Sequence, residues 1–267
     1  MLDFERAAHR AALRAGALLR ARYRERQEVQ RKSSDVDLVT AVDRESESLI
    51  LDVLTREFPA HGIVAEESPP KAGTDSHRWY IDPLDGTTNF AHGVPHFAVS
   101  IALARGDELI LALVHDPIRQ ETFTAIQGTG ARLNGVPIHA SQVTTLDQAL
   151  LATGFPVDRR LRAPHYVPFF QMALERAQCV RRGGSAALDL CYVATGRFDG
   201  FWEPKLRPWD TAAGRLIIEE AGGRVSDFSG GPHRLDGEET AASNGRIHGE
   251  LLALLRDVRA ALSGVEA

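Results

Sequence analysis

Cysteine, lysine and long apolar runs are scarce in this sequence, and each shortage excludes something. Two cysteines occur in 267 residues, Cys179 and Cys191, and they form no CxxC pair. That is too few for a disulfide framework and supplies no thiolate metal motif; it suits a reducing, cytoplasmic setting with two buried structural thiols. Lys32, Lys71 and Lys205 are the only lysines among 31 basic residues, a bias toward arginine with no functional reading attached. The formal net charge is -5, and no basic run is longer than pairs such as Arg31-Lys32 or Arg181-Arg182. Without a basic field, neither nucleic acid nor an anionic bilayer is expected as the main ligand. The first 26 residues repeat small apolar side chains at helical spacing, but charges interrupt them every few positions. They read as neither a signal peptide nor a membrane span. Internal repeats, low-complexity tracts and linkers long enough to separate independent domains are also missing.

What is present is 43% hydrophobic and 25% charged, enough to bury a sizeable core. One domain over 1–267 is expected, with two closely packed halves of about 1–140 and 141–267. Apolar periodicity predicts helices over 2–27, from Asp43 as N-cap to the residue before Pro59, and over 165–177, 186–194, 211–221 and 247–262. Residues 62–67 and 78–82 read as strands ending in acids. Segments 97–104, 109–114 and 121–125 read as a meander, and LLATGF and DGFWE as further short strands. Residues 32–37 and 67–78 read as polar loops. Helices alternating with strands after a meander predict a layered mixed α/β fold.

Acids stand where apolar segments end: Asp43, the pair Glu66-Glu67, Asp82 and Asp85 in YIDPLDGTTNF, and Asp210 in RPWDTAA. Strand ends and helix starts can aim side chains into one cleft, and carboxylates gathered there need a cation or raised pKa values. Oxygen donors favour Mg²⁺ or Mn²⁺ over zinc. Pro83 biases Asp82 toward an extended backbone, leaving the Leu84 carbonyl available beside the two carboxylates. Gly86 lets the backbone approach a ligand, and free amides at Thr87, Thr88 and Asn89 would face an anion. Taken alone, the stretch is equally an ordinary turn built from Asp-Pro and Asp-Gly. His92 and His96 have the spacing of a helical zinc pair, but Gly93 and Pro95 between them break the helix. Ser185 in GGSAA lacks the GxSxG pattern of a nucleophilic serine.

DPLDGTTNF, with AEES and VDLVTAVD upstream and GGSAALDLCYVATGRFDGFWEPKLRPWDTAAG downstream, resembles the inositol monophosphatase family along nearly the whole chain. The resemblance implies the αβαβα layered sandwich of that superfamily and a homodimer. It also implies a lithium-sensitive phosphatase acting on a small phosphate monoester with two or three Mg²⁺ ions per subunit. Glu66, Asp82 and the Leu84 carbonyl would hold one ion, and Asp82, Asp85 and Asp210 a second, with Glu66 and waters holding a weaker third. Gly86 and Thr87 would contact phosphate. Asp43 would orient the Thr87 hydroxyl, while Thr87 with Glu66 would position the attacking water. Gly184, Ser185 and Ala186 would line the substrate, and Glu203 would receive ring hydroxyls. Thr88-Asn89 after DGT resembles the inositol phosphatases; histidinol-phosphate phosphatase and fructose-1,6-bisphosphatase are the alternatives within the superfamily. A regulatory binding role toward the transcription machinery is a reading of another class.

Overall fold

The computed structural model describes residues 1–25, 29–31 and 38–265; the loop expected over 32–37 lies outside them, and the helix expected over 2–27 already ends at Arg22, where Tyr23 turns extended. α1 (Leu2–Arg22) buries Ala7, Ala8, Ala11, Ala12, Ala15 and Leu19, and so many small side chains let its axis lie close to what it covers. β1 (Val29–Arg31) and β2 (Leu38–Thr40) form an antiparallel pair. α2 (Ala41–Glu57) packs on α1. Thr40, not Asp43, is its N-cap, and Asp43 sits at the third helical position of a capping box. The alternation of Thr and Asp three residues apart is the box's own signature.

A seven-stranded sheet follows, built from β3 (Gly62–Ala65), β4 (His77–Asp85), β5 (Ala98–Arg105), β6 (Glu108–Asp116), β7 (Glu121–Ile126), β8 (Ala131–Leu133) and β9 (Val136–Pro137), in that spatial order. Only β3 and β4 run parallel; the other pairs are antiparallel. The sequence predicts that β4 stops at Asp82 before a turn. Instead the strand continues to Asp85 through an irregularity, because Asp82 faces Ser100 while Asp85 faces Ala98, leaving one extra residue on β4. Pro83 has no N–H to give the ladder, so the bulge falls where pairing is already interrupted. α3 (Thr87–Ala91) starts at Gly86, whose φ of 96° is left-handed. A Cβ there would also come within 3.0 Å of the His96 carbonyl oxygen, so glycine is required twice over.

The second sheet has the order β11-β10-β12-β14-β13. Its strands are β10 (Leu150–Thr153), β11 (Cys179–Arg181), β12 (Gly200–Pro204), β13 (Arg224–Ser226) and β14 (Glu239–Ser243). β10 lies parallel to both β11 and β12, and β14 antiparallel to β12 and β13. α4 (Arg159–Arg176) starts earlier than the periodicity predicts, with a break at Arg162 that accommodates Pro164 and Pro168. α5 (Ala186–Ala194) and α6 (Pro208–Glu220) pack on each other and touch both sheets, while α1 and α2 cover the outer face of the first sheet. α4 and α7 (His248–Val265) lie together against the second. The layers therefore run α, β, α, β, α. Residues of both sheets join α5 and α6 in one apolar cluster, which includes Ala102, Ala125, Leu190, Phe201, Ile217 and Ala242.

Candidate active site

β3, β4 and α6 pack beside one another, with an acid just after β3, two acids near the end of β4 and one in the first turn of α6. Glu66 follows β3 and is held by its amide, which donates to the Ile81 carbonyl at 3.2 Å. Asp82 is 2% exposed, and its Oδ1 accepts the Leu84 amide at 2.9 Å across the bulge. Asp210, in the first turn of α6, accepts the Arg207 amide at 2.7 Å. Asp85 closes β4, and its Oδ2 accepts both the Ser185 hydroxyl at 2.5 Å and the Ala187 amide at 2.8 Å, tying β4 to the head of α5.

Electrostatics shows that these four acids share a space. Burial pushes Asp82 well above the usual carboxylate range, and the charges of Glu66, Asp85 and Asp210 push it further. Asp210 rises too, through burial and then Asp85 and Glu66, against the opposing Arg207 amide. Asp85 is pushed up to about 6 by burial, although the Ser185 and Ala187 hydrogen bonds favour its anion. Unneutralised, this concentration of like charge is costly, and a divalent cation with oxygen ligands relieves it. The donors fit Mg²⁺: carboxylates and a backbone carbonyl, with no thiolate or imidazole among them.

Thr87 connects the acids to a buried anchor. Its hydroxyl donates to Asp43 Oδ1 at 2.9 Å and lies 3.1 Å from the Leu84 carbonyl oxygen. The other Asp43 oxygen accepts the Thr40 amide at 2.8 Å and the Thr40 hydroxyl at 2.6 Å. Asp43 is fully buried, and the Thr87 hydroxyl links it toward the cleft.

Gly184, Ser185, Ala186, Glu203, Asp85 and Asp210 line one lobe of a cleft, and Glu66 with Glu203 and Asp210 lines the next. Burial raises Glu203 well above its ordinary range, opposed by the Arg182 guanidinium. Gly154 leaves the room that Glu203 occupies: a Cβ there would stand 2.0 Å from Glu203 Oε2. Reading the sequence missed Gly154, Arg182 and Asp189. The last is the one acid in an otherwise apolar helix, 1% exposed, with His96 Nε2 3.5 Å from its Oδ1. A lone acid in AALDLCYVA was a usable signal. His92 is exposed at the end of α3 and shares no cluster with His96.

Among the described residues, the trio whose potential ligand atoms all lie within 4.8 Å is elsewhere: His61, Asp75 and His77. The cleft acids are spaced more widely. Trp79 Nε1 can only donate, and it stands 3.0 Å from His61 Nδ1. A neutral His61 must then carry its proton on Nε2, the atom facing Asp75 Oδ2 at 3.6 Å. A protonated nitrogen is no metal ligand, so the trio is a hydrogen-bonded aromatic cluster in which His61 and His77 stack at 4.7 Å.

The model of the inositol monophosphatase family matches residues 2–260. The chain belongs to this family. Among family relatives, it is 46% identical over 251 residues to the "Nus factor SuhB" of Escherichia coli K12, covering 93% of this chain and 94% of that one. It is also 46% identical over 242 residues to the inositol-1-monophosphatase of a Synechocystis species, covering 90% and 84%. The crystal structure of the extragenic suppressor protein suhB of Bartonella henselae superposes with a TM-score of 0.91 at 39% identity, covering 95% of this family member and 98% of that chain. Among the described residues, no helix is long and apolar enough to cross a membrane.

Proposed function

We propose that this family member is a Mg²⁺-dependent phosphomonoesterase whose preferred substrate is inositol monophosphate. The observation that carries the reading is the group of buried Asp82 with half-buried Glu66, Asp85 and Asp210, beside the Thr87–Asp43 hydrogen bond. Glu66, Asp82, the Leu84 carbonyl, Asp85 and Asp210 would hold two or three Mg²⁺ ions, with Mn²⁺ as a substitute. Such ions, when bound, make water acidic enough to attack at neutral pH and stabilise charge on the leaving oxygen.

The protein's own residues do the rest. Because Asp43 accepts the Thr87 proton, the lone pairs of Thr87 Oγ1 are left to accept a hydrogen bond from the attacking water and aim it. Glu66 is the nearby base for that water's proton. The amides of Gly86 and Thr87 face phosphate oxygens, and Ser185 holds Asp85 in place rather than offering its hydroxyl to substrate. Glu203, across the cleft and kept from open water, accepts hydroxyls of a polyol ring. The relative named inositol-1-monophosphatase supports the substrate class. A homodimer is part of the proposal, supported by the exposed apolar side chains Leu161, Val167 and Leu174 on α4.

A phosphate-release panel tests it, with inositol 1-phosphate, histidinol phosphate, fructose 1,6-bisphosphate and adenosine 3′,5′-bisphosphate, each with and without Mg²⁺. Mg²⁺-dependent release fastest from inositol 1-phosphate is expected. Fastest release from another ester moves the assignment to that substrate. The printed name "Nus factor" of a relative at 46% identity favours a second reading, a binding role toward the transcription machinery. Release from none of the four substrates puts that reading first.

A further inference from the structure

A second cavity, of about 510 Å³, shares no lining residue with the cleft. This volume is in the range that takes a metabolite-sized ligand. Val64, Tyr80 and Ala104 from the first sheet and Leu235 from the β13–β14 connection give it apolar walls. Three arginines stand around it, in different states. Arg234 bonds to Asp236 through two contacts of 3.0 Å and also feels Asp107. Arg215 bonds to Glu219 at 2.9 Å and to the His233 carbonyl at 3.1 Å. Arg78 has neither a hydrogen-bond nor an ion-pair partner among the described residues, so it is the cation left for a ligand.

A further polar group, His233, and the placement of the walls point the same way. His233 lines the cavity, is 6% exposed, and uses only Nε2, which meets the Thr240 hydroxyl at 3.1 Å; its buried Nδ1 has no partner. Burial, with Arg215 nearby, pushes the His233 pKa down to about 4, so at neutral pH the ring is an uncharged donor or acceptor. A buried nitrogen left unbonded costs free energy, so this wall of the cavity carries an unmet polar group. The walls also belong to the elements that carry the acids. Val64, Tyr80 and Pro208 each lie two residues before Glu66, Asp82 and Asp210 respectively.

We propose that this cavity is an effector site for a small ring-bearing anion, a carboxylate, sulfonate or phosphate on an apolar ring. Arg78 receives the anionic group, Val64, Tyr80, Ala104 and Leu235 receive the ring, and occupancy stiffens the ends of β3, β4 and α6 where the acids sit. The site does not depend on the phosphatase reading, since its ligand binds without turnover.

The aromatic sulfonate 1-anilinonaphthalene-8-sulfonate serves as the probe, its fluorescence titrated against the intact protein. One saturable dye per chain is expected, unaffected by Mg²⁺ with inorganic phosphate, which compete only for the cleft. Arg78→Glu, an exposed substitution that leaves the fold intact, is expected to weaken the dye by about tenfold, as reversal of one charged contact does, while Arg78→Lys keeps most of the affinity. Amide hydrogen exchange over residues 80–85 is expected to slow with dye bound. Equal affinity in Arg78→Glu, displacement by Mg²⁺ with phosphate, or unchanged exchange over 80–85 at saturating dye would each overturn the proposal.

Discussion

Asp43 does two things with its two oxygens, one closing the capping box with Thr40 and the other holding the Thr87 hydroxyl. One carboxylate therefore serves both the capping box and the Thr87 hydroxyl. At this scale the metal reading makes two predictions. Asp82→Asn removes a charge repelled by Glu66, Asp85 and Asp210. Turnover should fall by at least about 100-fold, as for loss of a group that stabilises charge in the transition state. The melting temperature without Mg²⁺ should hold or rise, so a calorimetric scan beside the assay separates loss of chemistry from loss of fold. Thr87→Ala should lower kcat by about 10²–10⁴, the usual worth of a positioned proton-transfer group, with little change in the Mg²⁺ concentration giving half activity. A Mg²⁺ titration showing that higher Mg²⁺ restores the mutant would make Thr87 a metal-binding residue instead.

Between elements, short hydrogen bonds carry the positioning. Ser185 caps α5 by accepting the Leu188 amide at 3.4 Å and donates to Asp85 at 2.5 Å, so one hydroxyl sets both the helix start and the orientation of an acid at the end of β4. Ser185→Ala should cost about 1 kcal/mol, the typical value of a cap, in urea unfolding without Mg²⁺. It should also reduce activity, because Asp85 loses one of two anchors. Gly154 stands where β10 gives way to the cleft, and its missing side chain is the space filled by Glu203 of β12. Gly154→Ala must displace that carboxylate. The expected outcome is a raised KM for inositol 1-phosphate and a nearly unchanged KM for an aryl phosphate with no ring hydroxyls, measured side by side.

Across the whole molecule, buried histidines set how the fold responds to acid. His248 is 1% exposed, with Ser226 and Ser243 hydroxyls 2.9 Å from its two ring nitrogens. Burial and then Arg224 push its pKa down from 6.5 to about 4. Its folded pKa lies below its unfolded one, so between these values the unfolded chain takes up a proton that the folded chain refuses. The stability contributed by the neutral ring is full above pH 6.5 and is lost as pH falls toward 4, up to about 3 kcal/mol. Melting temperatures of the parent and of His248→Gln should therefore converge as pH drops through this window; a constant gap would mean that the ring titrates normally in the fold. The acid cluster acts in the opposite direction, because carboxylates with raised pKa values take up protons in the folded state first.

Local patterning alone determined much of this protein. The alanine stripe of α1, the meander from β5 to β7, and α5 from Ala186 to Ala194 follow from periodicity, which depends on neighbours a few residues apart. The acids at segment ends, read with the motifs that resemble the inositol monophosphatases, pointed to one cleft. Tertiary structure decided what short-range pattern cannot encode. The DPLD stretch is a bulged strand end because β5 pairs with it on both sides of Pro83. Asp85 is oriented by Ser185, a hundred residues away in sequence, and Glu203 fits only because Gly154 is bare. Arg78, without a partner among the described residues, and the half-bonded His233 line one cavity only after β4 and the β13–β14 connection have folded together. Periodicity ranks which side of an element is buried; burial, charge and hydrogen bonding between distant segments decide what each buried polar group meets, and that exists only once the layers are stacked.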